Sequence, residues 1–100
     1  MKLVQCLSDL VVDELDDAEK YINLALRYKD EDKDTAKMFY DLSLEEMKHM
    51  NRLHERTVAL ISDYKAKNGT PPESMLAVYN YLHEKQIERT KEIKVLQDMF

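Results

Sequence analysis

One hundred residues make one small domain that buries a limited share of its surface alone, so association with further copies is the expected route to greater burial. A composition of 44% apolar and 35% charged residues with one Gly and two Pro suits long helices and argues against a turn-rich sheet protein. The formal net charge of −5 with no basic run excludes a phosphate-tracking surface and so a nucleic-acid partner, and no apolar run reaches membrane-spanning length.

The expected fold is all-α, with three long antiparallel helices at about 2–28, 35–65 and 73–99. The first is an amphipathic rod with Leu3, Leu7, Leu10, Tyr21, Leu24 and Tyr28 on one stripe, Val4, Val11, Ala18 and Ala25 beside it, and Glu14 and Asp17 as polar interruptions. A charged turn follows at Asp30-Glu31-Asp32-Lys33-Asp34, where Asp34 or Thr35 is the expected acceptor for the free N–H groups of the second helix. That helix carries Phe39, Leu42, Met50, Leu53 and Leu60 at helical spacing and ends in basic residues, Gly69 and Pro71-Pro72. The short loop folds the third helix back antiparallel. Its stripe is Met75, Tyr79, Leu82, Ile93, Leu96 and Phe100, but from His83 to Glu92 only Ile87 is apolar, so its amphipathy is poor in the middle.

Cys6 stands alone, which leaves no internal disulfide and fits a reducing compartment, and the first residues are too polar for a secretory signal. A cytoplasmic location is expected. Cys6, Met47 and Met50 read as packing residues, and so does the tyrosine set apart from Tyr21. Asp13, Asp16 and Asp17 read as a solvated acidic face, and His54 as a surface residue. Asp30, Asp32 and Asp34 imitate a calcium loop but lack its glycine and its final bidentate glutamate.

Chemistry concentrates at Glu45-Glu46-Met47-Lys48-His49. A Glu-x-x-His step puts a carboxylate and an imidazole one turn apart on the same helix face, where both reach a single metal ion. Glu46 and His49 fall in line with the apolar stripe. Counted from the first turn, Glu14 lies roughly 15 residues before it and Glu46 roughly 12 after it, similar heights at one rise per residue. Glu14, Glu46 and His49 are therefore expected to converge in the core. A buried carboxylate without a partner costs several kcal/mol or takes up a proton, whereas a divalent cation stabilises its charge. Imidazole with carboxylates suits iron, manganese or zinc, and the oxygen-rich mixture favours the first two.

Glu14 with Tyr21 seven residues on, then Phe39, then Glu45-Glu46-x-x-His49 resembles the first helical hairpin of the ferritin-like di-iron carboxylate proteins, over residues 7–60. The resemblance implies a di-iron centre, with manganese as the other metal, that reacts ferrous iron with dioxygen or peroxide. It gives Glu46 a bridging role, makes Glu14 and His49 terminal ligands, and sets Tyr21 beside them as a hydrogen-bonding or oxidation-quenching residue. A complete family member has two hairpins, and here there is one. Two copies related by a two-fold axis, the device of the half-bundle encapsulated ferritins, would supply the whole ligand set as a homodimer or higher homo-oligomer. Completion from within would draw on Glu88 or Glu84 of the third helix, with His83 nearby. The alternative function is a metal-free helical interaction module that recruits a protein partner through the third helix.

Overall fold

The computed structural model describes residues 2–100, except for the side chain of Ser74, and is all-helical: α1 (Lys2–Tyr28), α2 (Lys33–Asn68) and α3 (Glu73–Met99). They run up, down and up in a rod of 55 × 18 × 18 Å. α3 lies mainly on α1 and only lightly on α2.

The turns are set by local chemistry. Tyr28 O accepts from the N–H groups of Glu31 and Asp32 as α1 ends, and Asp32 then caps α2 by accepting from Thr35 N at 3.1 Å and Thr35 Oγ1 at 3.0 Å. Asp32, not Asp34 or Thr35, is the acceptor because it alone adopts the extended backbone of a cap, with φ −147° and ψ 95°. These two bonds hold its carboxyl below the usual carboxylate range. α2 closes at Gly69, whose φ of 78° lets its N–H reach Lys65 O at 2.9 Å.

The buried seam of α1 is Val11, Leu15, Ala18, Ile22 and Ala25, which includes residues expected beside the main stripe. The stripe itself is only partly covered: Leu3 is 59% and Leu10 41% exposed, while Leu7, Tyr21, Leu24 and Tyr28 are half-buried. α2 answers with Ala36, Ser43, Met50 and Thr57, one residue every seven, three of them small enough to bring the helix axes close. The two hydroxyls are satisfied: Ser43 Oγ donates to Ala18 O at 2.7 Å, and Thr57 Oγ1 donates to Leu53 O at 2.8 Å. Met47 and Leu53 pack against the buried cluster formed by Val11, Leu15, Ala18, Met50 and Ile93.

The polar middle of α3 proves to be its docking surface. Gln86 Nε2 donates to Ser8 Oγ at 3.1 Å, Arg89 forks onto Asp16 at 2.7 Å and Glu19 at 2.9 Å, and Gln97 Nε2 donates to Ser43 Oγ at 3.0 Å. Asp16 is thus paired across helices, which the reading of a merely solvated face did not foresee. Ile93 supplies the buried apolar contact, and Tyr40 stacks on Phe100 with ring centres 4.7 Å apart. Two further expectations fail. Cys6 is exposed, because α1 turns it away from both neighbours, and His54 is half-buried, because its ring stacks on His83 of α3 at 4.9 Å.

Burial and the nearby His83 hold His54 below the usual histidine range, with Glu55 opposing. With the folded pKa depressed below 6.5, the unfolded chain binds more protons at acid pH, so the stability from this stack is complete above 6.5 and falls as pH drops. His54→Phe keeps a stacking ring and removes the titration. Thermal unfolding should show its melting temperature gaining on that of the unsubstituted protein as pH is lowered through 6.5, and a constant difference would contradict this account.

Candidate metal centre

Glu14 projects from the middle of α1 and Glu46 and His49 from the middle of α2, on the side of the hairpin away from the α3 contacts. His49 Nδ1 lies 3.7 Å from Glu14 Oε2 and 3.8 Å from Glu46 Oε2. One ligand atom from each of the three residues falls within 4.8 Å of the others. The side chains are 24% exposed at Glu14, 18% at Glu46 and 56% at His49, so the cluster sits at the rim of the hairpin and not in the core as expected. The reason is the rotation of α1, which turns its Leu3, Leu10 and Glu14 stripe toward the open side.

The spacing has a chemical meaning. The His49 contacts are too long for hydrogen bonds. Metal bonds of about 2.0–2.2 Å set two ligands of one ion roughly 3–4 Å apart, the separation the imidazole and carboxylates adopt here.

Charge is unbalanced at this point. As two carboxylates, Glu14 and Glu46 have no hydrogen between them, and Glu14 Oε2 is a buried oxygen with no donor among the described residues. A proton taken up by Glu46 supplies one. Its carboxyl is pushed up to about 7 by that hydrogen bond to Glu14, then by burial and by Glu14 repulsion; Asp17 adds to the rise and His49 opposes it. Asp17 itself pairs with Lys20 at 3.6 Å.

The remaining candidates lie outside the cluster. Tyr21 stacks on Phe39 with ring centres 6.3 Å apart, under Lys20, and makes no hydrogen bond to Glu14, Glu46 or His49 among the described residues. Glu84 and Glu88 are exposed, and Glu88 pairs with Lys85 of its own helix at 3.7 Å. Completion by α3 is therefore not what this fold arranges. Leu82, Gln86, Arg89 and Ile93 turn inward, and residues two positions away lie on the opposite side of a helix with 3.6 residues per turn. His83 is committed to stacking between His54 and Tyr79. Ser43, which joins all three helices, was missed by sequence reasoning, although the seven-residue spacing of Ala36, Ser43, Met50 and Thr57 signals it.

Comparison with protein-family models, curated proteins and solved structures finds no match for this chain, so the site is read from its own chemistry.

Proposed function

We propose that the chain forms half of a ferritin-like carboxylate metal centre, in which Glu14, Glu46 and His49 bind ferrous or manganous ion. The observation that carries this is a cluster of two carboxylates and an imidazole whose ligand atoms lie within 4.8 Å of one another, in which the buried Oε2 of Glu14 has no donor once Glu46 is ionised. A divalent cation supplies the positive charge that two facing carboxylates lack, and the mixed imidazole and carboxylate set suits iron or manganese.

Three ligands leave such an ion under-coordinated. A second copy packed across the open side of the hairpin brings the same three residues again, and the exposed Leu3 and Leu10 give that copy apolar surface to cover. In such a pair Glu46 would be shared between the two copies' ions, and Glu14 and His49 would each hold one. Bound iron supplies the electrons for reducing dioxygen or peroxide; the chain supplies fixed ligands, and Tyr21, with Phe39 holding its ring, lies two turns along α1 from Glu14.

Anaerobic titration with ferrous and with manganous ion, followed by sedimentation velocity, tests this reading. Saturable binding at one ion per chain, accompanied by dimer formation and lost in His49→Ala, is expected. Binding that never saturates, or that survives His49→Ala unchanged, would sink it. The rival reading, a metal-free adaptor, rests on Val78, Tyr81 and Val95 of α3, which are 58%, 60% and 60% exposed.

A further inference from the structure

A second site lies at the other end of the molecule. Between the start of α1, the end of α2 and the start of α3 is a cavity of about 340 Å3, lined by Val4, Ser8, Ile61, Leu76, Tyr79 and Leu82 among others. α3 lies only lightly on α2, and the bonds of Gln86, Arg89 and Gln97 hold the later part of α3, which leaves this space at its start. Ser8 precedes Glu14 by six residues, about 9 Å along the helix, so this cavity is separate from the carboxylate cluster and does not depend on the reading given to it.

Two properties define what fits. In a chain that is 35% charged, no residue lining the cavity carries a charge. The cavity also stands at the small end of the roughly 300–1,000 Å3 typical of ligand pockets, too small for a helix of a partner protein. Two of its polar groups, Gln5 and Ser8, come from α1. Ser8 Oγ accepts from Gln86, and its own proton makes no hydrogen bond among the described residues; Gln5 lies one turn away. On α3, burial holds the Tyr79 phenol above its usual range.

We propose that this cavity binds a small uncharged aliphatic molecule with a single hydroxyl or carbonyl oxygen, its chain among Val4, Ile61, Leu76 and Leu82 and its oxygen accepting from Ser8. An ionised head is disfavoured, because nothing in the lining offsets its loss of hydration.

The test is methyl-detected NMR titration of the full chain with decan-1-ol and with decanoate at pH 8. Decan-1-ol should give saturable one-to-one shifts confined to Val4, Ile61, Leu76, Val78 and Leu82, with decanoate weaker. Ser8→Ala should weaken decan-1-ol by about 2- to 10-fold, the worth of one neutral hydrogen bond. Leu76→Trp, which fills the space, should abolish saturation. Should that variant lose its helical circular dichroism, Val78→Trp at the rim provides the same block. Shifts spread equally over Leu3, Val58, Val95 and Met99 would overturn the proposal, as would decanoate binding as tightly as decan-1-ol or a filled variant that still saturates.

Discussion

Glu46→Gln should weaken ferrous and manganous binding by at least about 10- to 100-fold, the cost of disturbing even the outer partners of a metal ligand. The same substitution should make the metal-free protein more heat-stable at pH 8. Both effects come from one cause. The Glu46 carboxyl is pushed up to about 7 in the folded chain from its ordinary 4.5, so between these values the folded state holds a proton that the unfolded state has lost. A folded pKa raised in this way contributes stability that is complete below 4.5 and is lost as pH rises through 7. Above that pH, two ionised carboxylates face each other with Glu14 Oε2 lacking a donor. The amide that Glu46→Gln puts in place of the carboxyl carries no charge and can donate to Glu14 at every pH.

Melting temperatures of the chelator-treated protein should therefore fall from pH 5 to pH 8 relative to those of Glu46→Gln, and added manganous ion should restore them only in the unsubstituted chain. Parallel curves for the two proteins would remove the electrostatic basis of the proposed centre. A residue that destabilises the metal-free chain and stabilises it only with a cation present is expected of a functional group and not of a packing one.

Leu15→Ala should cost about 2–5 kcal/mol, a large part of the roughly 5–15 kcal/mol that holds a domain together. Leu15 is 0% exposed and belongs to the cluster of Val11, Ala18, Met50 and Ile93, where all three helices meet. Leu10→Ala, at 41% exposure, should cost the single chain far less. In the proposed dimer the weights change: Leu10→Ala should weaken self-association, seen as a shift toward monomer in sedimentation, while leaving the monomer's urea midpoint nearly in place. Equal losses from the two substitutions in urea unfolding would show that α1 is rotated otherwise than described.

The lengths of the helices were legible in the sequence because their signals are local. A capping aspartate, a glycine that tolerates positive φ and a proline pair act within a few residues of their own positions, so α1 and α3 agree with expectation and only the ends of α2 moved. That Glu14 stands level with Glu46 and His49 was also legible, since two rods joined by a tight turn bring equal heights together.

Rotation itself was not legible. α1 carries two adjacent apolar stripes, and hydrophobicity favoured the one with the larger leucines and tyrosines. Close packing chose the other, because Ala18, Ala25, Ala36 and Ser43 let the helices approach where bulkier residues would hold them apart. That choice put the carboxylate cluster at the rim and left Leu3 and Leu10 exposed. The docking of α3 was equally hidden. Arg89, Gln86 and Gln97 look like solvated residues until Asp16, Glu19, Ser8 and Ser43 stand opposite them, and that opposition joins positions more than fifty residues apart. The sequence by itself determined which segments are helical and which three side chains stand at one height. Tertiary structure alone decided which faces are covered, because burial depends on the shape of the neighbour as much as on the residue buried.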